Sequence, residues 1–158
     1  MQENLQRMIK LADEFFEART DPEQINVTPR VRARLKRMHT ATLSVRTTKD
    51  GPIAWMLVIP TTKRLMMRFI DGKIGERELL RRTPVGRPYQ AMYLCSALVL
   101  PEFRGKGIAK RLLTKAVRSI RRDHPIEFLF FWAFSKKGEK LAHSVARAAR
   151  LPLVRRME

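Results

Sequence analysis

The chain contains little that would support disulfide, metal or membrane chemistry. It has one cysteine, Cys95, among 158 residues, which excludes an intrachain disulfide and a cysteine metal cluster. No other pattern gives a strong metal signal, so we expect no metal. The longest nearly unbroken apolar run, residues 126–134, is far too short to span a bilayer. The polar start leads to no secretory segment, and we therefore expect a cytoplasmic protein.

Acidic side chains are also scarce. The chain has 33 lysines and arginines against 15 aspartates and glutamates, a formal net charge of +18. Residues 1–24 hold three basic and six acidic groups, so residues 25–158 hold 30 basic and nine acidic groups, a net of +21. Such a field favours anionic partners, of which we expect nucleic acid or a polyphosphate ligand rather than a membrane. A solvated basic surface without a dedicated partner is the alternative.

Length and hydrophobic periodicity predict one α/β domain over residues 1–158. Three signals are local: helical spacing of apolar residues near the start, Thr28 as a helix N-cap before Pro29, and a break at Asp71-Gly72. The predicted order is helix 3–19, a helix after Thr28, strands 40–48 and 53–60 as a hairpin, one or two short helices within 61–84, strand 91–100, a helix from Ile108, buried strand 126–134, helix 138–150 and short strand 151–156. The crossover helix between strands 91–100 and 126–134 predicts that these two strands are adjacent and parallel.

Glycine is rare, yet two of the seven glycines lie close together in Val99–Leu113, VLPEFRGKGIAKRLL. A strand that turns into a helix leaves several backbone N–H groups unpaired and pointed at one place, where the helix dipole adds positive charge. A phosphate suits such a site, and Gly105 and Gly107 allow the backbone to approach it closely. The segment is typical of a pyrophosphate-binding turn. A plain strand-to-helix turn with a solvated Lys106 is the alternative.

The turn matches neither G-x-x-x-x-G-K-[ST] nor G-x-G-x-x-G. Residues 99–109 instead resemble the acetyl-CoA signature V-x-P-x-x-R-G-x-G-x-[GA] of the GNAT superfamily of N-acetyltransferases, with every fixed position filled. The resemblance implies a mixed, mainly antiparallel sheet flanked by helices, with a central parallel strand pair that splays apart to admit the pantetheine arm. It implies that the backbone of Val99 pairs with this arm. It also implies that the pyrophosphate of acetyl-CoA is held by the backbone N–H groups of Arg104, Gly105, Lys106, Gly107, Ile108 and Ala109.

The sequence departs from the family pattern at both ends. The family begins with a strand before its first helices, whereas here a helix comes first. Only eight residues follow Arg150, where the family finishes with two strands. The acceptor side of the site would then be open, or completed by a second subunit in a homodimer.

A third departure concerns the leaving group. The family's last helix often carries N-x-x-A-x-x-x-Y, whose tyrosine protonates the CoA thiolate. Alignment on Ala142 puts Ala146 in the tyrosine position, and His143 is the candidate substitute because imidazole is an acid near neutral pH. An exposed helix histidine is the alternative, and Ser144 is a weaker substitute.

No general base stands out. Glu102 is expected at the surface, and Cys95 and Tyr93 are expected to pack in the core. Positioning of amine and thioester supplies much of the rate in this chemistry, so a missing base does not exclude activity.

The resulting hypothesis is an enzyme that transfers an acetyl group from acetyl-CoA to an amine. The alternatives are a basic module that binds nucleic acid or acidic protein, and a regulator that binds acyl-CoA without turnover. The resemblance places the helix with Arg30, Arg34 and Arg37 beside the acceptor, which predicts an anionic acceptor. If the acidic N-terminal helix, with Asp13, Glu14 and Glu17, lies beside the acceptor instead, the prediction becomes a cationic acceptor.

Overall fold

The structure, a computed structural model, describes residues 3–19, 25 and 27–157, with the side chains of all of these except 16–19. None of its described helices is long and apolar enough to cross a bilayer. The elements follow in the order α1 (Glu3–Arg19), α2 (Pro29–Met38), β1 (Leu43–Thr48), β2 (Gly51–Thr61), α3 (Lys63–Ile70), α4 (Glu76–Arg82), β3 (Ala91–Val99), α5 (Ile108–Asp123), β4 (Phe128–Trp132), α6 (Lys136–Ala149) and β5 (Leu153–Arg156).

The local signals of the sequence are confirmed. The hydroxyl of Thr28 accepts a hydrogen bond from the N–H of Val31 at 3.2 Å, which caps α2, and Pro29 opens the helix. The helices α3 and α4 lie on either side of Asp71-Gly72. The strand expected at 40–48 begins only at Leu43, because residues 40–42 form a 3-10 turn capped by the imidazole of His39.

The five strands form one sheet in the order β1-β2-β3-β4-β5. The pairs β1/β2 and β2/β3 are antiparallel, whereas β3/β4 and β4/β5 are parallel. The helix α5 connects the central parallel pair, as the sequence predicts. The predicted α/β fold with a mixed sheet flanked by helices is therefore confirmed.

The side chains of β4 alternate between two helical layers. Phe130 and Trp132 contact Phe69 of α3, with ring centroids 5.7 and 5.8 Å apart. Phe131, between them, contacts His143 of α6 at 6.1 Å. Because successive side chains of a strand point to opposite faces, α3 and α6 cover opposite faces of the sheet.

A β-bulge interrupts β3 near its middle. Val58 pairs with Leu94 and Leu57 pairs with Ser96, so Cys95 is an extra residue without a partner position on β2. A bulge bends its strand and increases the local twist. The half of β3 that follows Cys95 therefore runs in a different direction from the half that precedes it.

The bulge coincides with the point where β3 and β4 separate. The two strands pair only from Ala91 with Phe128 to Tyr93 with Phe130. The rest of β3, residues 94–99, continues without β4 as a partner. A gap therefore opens between the carboxyl ends of the two parallel strands, as the resemblance implies.

The side chain of Arg34 ties α2 to the end of α4. Its Nε donates to the carbonyl of Leu80 at 3.2 Å, and its Nη2 donates to the carbonyls of Arg81 at 3.0 Å and Thr83 at 2.6 Å. The last carbonyls of a helix lack intrahelical partners and carry partial negative charge. Arg34 therefore serves as a C-terminal cap for α4.

Replacing Arg34 by leucine should lower the free energy of unfolding by about 2 kcal/mol, because three hydrogen bonds to a charged group are lost, two of them, to Leu80 and Thr83, partly buried. Arg37→Leu is the matched control, since Arg37 is exposed on the same helix and should change stability by less than about 0.5 kcal/mol. Urea denaturation followed by circular dichroism measures both. Equal losses in the two variants would contradict the capping role.

Candidate functional site

The turn between β3 and α5 adopts a backbone that only glycine takes readily. Gly105 and Gly107 have φ values of +78° and +77°, in the left-handed region. A Cβ at Gly105 would meet no atom within 4 Å, and one at Gly107 would lie 3.0 Å from the flexible end of Arg111. Glycine is therefore needed at both positions for its backbone conformation and not because a side chain would collide with the rest of the protein.

The turn leads into the exposed amino terminus of α5. Gly107 is the N-cap residue and offers no capping side chain, and the first turn has no acidic residue. The first intrahelical hydrogen bond runs from the N–H of Arg111 to the carbonyl of Gly107 at 3.0 Å. The N–H groups of Ile108, Ala109 and Lys110 precede it and have no carbonyl within the helix to bind. These groups and the helix dipole make a binding place for an anion.

Two cationic side chains of the turn fold onto their neighbours. The Nε of Arg104 donates to the carbonyl of Val99 at 2.9 Å, and Nζ of Lys106 lies 5.7 Å from the ring centroid of Phe103. Both residues are exposed. They keep positive charge beside the turn and hold its shape.

Glu102 is held by an arginine of α1. Nη1 and Nη2 of Arg7 each bind one carboxylate oxygen at 2.6 Å. These hydrogen bonds are the main cause that lowers the pKa of Glu102 to about 2. A carboxylate this acidic, with both oxygens engaged, is a poor proton acceptor. The expectation that Glu102 is a surface residue agrees with its exposure.

A cavity of about 240 Å³ lies between the separated strands. Its walls come from the carboxyl half of β3, from the end of β4 and from the first half of α6, with Phe15 of α1 on one side. The lining residues are Phe15, Leu94, Cys95, Ser96, Ala97, Leu113, Phe131, Trp132, Phe134, Ser135, Lys137, Gly138, Leu141 and Ala142.

The backbone of Val99 faces this gap. Leu100 donates its N–H to the carbonyl of Ile53 at 2.9 Å, so Val99 and Ala54 form a non-hydrogen-bonded pair between β3 and β2. The N–H and carbonyl of Val99 must therefore point away from β2, towards the gap. Since Arg104 already binds the carbonyl, the N–H is the group that Val99 presents.

Comparison with known protein families matches residues 7–143 to the acetyltransferase (GNAT) family. The chain belongs to this family. The match spans α1, the glycine turn, both strands of the gap and half of α6, and it supports acetyltransferase activity in general. Comparisons with curated proteins and with solved structures gave no match. The GNAT resemblance of the 99–109 segment is therefore confirmed for most of the chain.

The structure places the predicted cofactor residues and the predicted acid in different surroundings. Val99 and the turn residues 104–109 lie together at one end of the gap. His143 is exposed on α6, one position beyond the cavity-lining Ala142, and its ring faces Phe131. Ala146, in the tyrosine position of the family pattern, is buried in the core. The acid role of His143 stays a prediction.

Sequence reasoning missed a buried carboxylate beside the cavity. Glu76 is 0% exposed, and its Oε2 accepts a hydrogen bond from the hydroxyl of Tyr93 and lies 3.8 Å from Sγ of Cys95. Its Oε1 accepts from the N–H of Ile25 at 3.4 Å. The only local signal was an acidic residue opening a short helix after Gly75, which usually indicates an exposed helix start. Cys95, expected to pack, therefore joins Glu76 to the cavity.

An arginine from the last strand supports the other side of the cavity. The guanidinium carbon of Arg156 lies 3.9 Å from the ring centroid of Trp132 and 4.6 Å from that of Phe69, and Nη1 donates to the carbonyl of Ile74 at 2.9 Å. Arg156 is only 8% exposed. Arg156 thus orients Trp132, one of the residues that line the cavity.

The charged wall expected from α2 is not found at the cavity. Among the described residues that line it, none belongs to α2, and Arg34 is bound to the end of α4. The helix that does reach the cavity is α1, through Phe15. Asp13 and Glu14 are exposed and are about 160° and 100° from Phe15 around the helix. The side chain of Glu17 lies outside the described residues.

Gly107→Glu should abolish CoA binding, because it places a carboxylate at the N–H groups of α5 and strains a left-handed backbone. Isothermal titration with CoA measures the effect. Gly86→Glu is the matched control, since Gly86 has φ +85° and open space around it but lies before β3, at the end remote from the turn. Unchanged CoA affinity in a folded Gly107→Glu variant would contradict the assignment of the turn.

Proposed function

We propose that the protein transfers the acetyl group of acetyl-CoA to an amine. One observation carries the proposal: the anion-binding turn and the gap opened by the Cys95 bulge meet at the carboxyl end of β3. The N–H groups of residues 105–109 would hold the pyrophosphate, whereas that of Arg104, also expected there from the sequence, is bound to the carbonyl of Pro101 at 3.2 Å. The gap would take the pantetheine arm, with the N–H of Val99 as one of its partners. The thioester would then lie near Cys95.

The reaction needs an acceptor nitrogen beside the thioester. The amine nitrogen attacks the carbonyl carbon, the C–S bond breaks, and the products are an acetamide and the CoA thiolate. The nitrogen must also lose a proton. A cavity walled by aromatic rings and by the first half of α6 restricts both reactants, which contributes to the rate by proximity.

Cys95 and Glu76 are our candidates for the proton path from the amine. Cys95 is one of the residues that line the cavity, and Oε2 of Glu76 lies 3.8 Å from its Sγ. As the amine proton passes to Sγ, the thiol proton passes to Glu76, so that the net acceptor is the buried carboxylate. Glu76 thus acts through Cys95, and the Tyr93 hydroxyl positions its Oε2. His143 stays our candidate for returning a proton to the CoA thiolate.

Turnover of acetyl-CoA against a panel of amines, followed as free thiol, tests the function. We expect thiol release that depends on the amine. The overall charge of +18 should favour an amine carried on an acidic peptide over spermine at low salt, and salt should reduce the rate with the peptide. Faster turnover of spermine would contradict this preference. CoA binding without turnover of any amine would favour the regulator over the enzyme.

Glu76→Gln should lower kcat at least tenfold while leaving CoA affinity unchanged. Cys95→Ala should lower kcat similarly, and Cys95→Ser, which keeps a proton-carrying group, should retain more activity. The double variant Glu76→Gln with Cys95→Ala should be no slower than the worse single variant, because the two act on one path.

Glu78→Gln is the control, since Glu78 is on the same helix but pairs with Arg82 at 2.7 Å. Thermal denaturation of each variant separates a folding defect from a catalytic one. Full activity in a folded Glu76→Gln variant would exclude the proton path.

A further inference from the structure

A basic groove lies along α5 beside α6. Its volume is about 830 Å³, and six of its eight lining residues are cationic and none acidic. The lining residues are Lys110, Arg111, Thr114, Lys115, Arg118, Arg121, Arg122 and Ala148. We call the surface formed by these eight residues the basic groove.

The cations of the basic groove form one continuous stripe. At 100° per residue they fall within an arc of about 140° around α5, which places them on one side of the helix. From Lys110 to Arg122 the helix rises about 18 Å. A duplex carries about one phosphate per 1.7 Å of its axis when both strands are counted, so a stripe of this length can contact several phosphates.

The positive charge of the groove is not compensated within the described part of the chain. None of the six cationic side chains forms an ion pair there, and the only acidic residue of α5, Asp123, binds Nε2 of His39 at 2.6 Å instead. Arg121 donates to the carbonyl of Ala149 at 2.7 Å, which holds its guanidinium in place without neutralising it. Such an arrangement retains its attraction for an external polyanion.

A buried hydroxyl, unpartnered in the described part of the chain, lies beneath the groove. Thr114 is 8% exposed, and its hydroxyl has no hydrogen-bond partner among the described residues. A hydroxyl in a helix commonly donates to the carbonyl four residues before it. Here it is left at the centre of the stripe, between Lys110 and Arg118.

The lining also indicates how a polyanion would be recognised. No aromatic ring lines the groove, so stacking with unpaired bases is not offered. Arginine and lysine without such rings suit phosphate contacts, which position a nucleic acid without reading its sequence. Arg118 and Arg122 lie nine or more residues, at least about 13 Å, beyond Ala109, the last residue whose N–H would hold a CoA pyrophosphate, so the stripe is longer than one nucleotide requires.

We propose that the basic groove binds the phosphodiester backbone of a double-stranded nucleic acid, independently of base sequence. The interaction goes beyond acetyl transfer and does not require it.

Fluorescence anisotropy with a labelled DNA duplex of about 20 base pairs tests the proposal. Wild-type affinity should fall with salt, with a slope of log K against log salt of about −4 for four to five phosphate contacts. Arg118→Glu with Arg122→Glu should weaken binding at least tenfold and reduce the slope by about 2. The glutamine pair at the same positions should show a smaller loss in the same direction, and thermal denaturation checks that both variants fold.

The matched control is Arg30→Glu with Arg37→Glu, two exposed arginines of α2 that change the net charge equally but lie outside the groove. It should lose less than threefold. Equal losses in the two pairs would overturn the proposal, because they would reflect net charge alone. Displacement of the duplex by polyglutamate at equal charge would overturn it in favour of an acidic protein. Weaker CoA binding in the Arg118/Arg122 variants would assign the groove to the cofactor.

Discussion

The extra residue in β3 is the constraint on which the candidate site depends. Cys95 has no partner position on β2, so β3 bends there and separates from β4 directly after Tyr93. The cavity, the direction of the Val99 backbone and the closeness of Cys95 to Glu76 follow from this local irregularity. A regular parallel pair would have used the same backbone groups for strand hydrogen bonds and left no room for a ligand.

Positive charge is carried in two different ways, by the backbone at the glycine turn and by side chains along α5. At the turn, backbone N–H groups and the helix dipole make a compact site suited to one anionic group, and the side chains of Arg104 and Lys106 mostly hold the turn in shape. Along the rest of α5, flexible side chains carry the charge, so its geometry tolerates an extended partner. The two regions share a helix but make separable contacts.

Local signals predicted much of the fold, and contacts between distant residues account for what was missed. Thr28, the break at Asp71-Gly72 and the glycine pair act through neighbouring residues, so their roles were readable in the sequence. The burial of Glu76 depends on Tyr93, 17 residues away, and Arg34 binds carbonyls 46 to 49 residues away. The helical pattern places Arg34 on a face, but only the packed structure shows what that face meets.

β5 is an edge strand of the sheet, and the edge it exposes could pair with a second molecule. An edge strand offers unpaired backbone groups to a second chain, and proteins protect such edges by keeping them short and charged. β5 has four residues, and the last two are Arg155 and Arg156. Arg155 forms an ion pair with Glu139, and Arg156 packs against Trp132, so both side chains are held within their own molecule. A strand of only four residues offers a second molecule few backbone groups to pair with, which disfavours growth of the sheet across molecules.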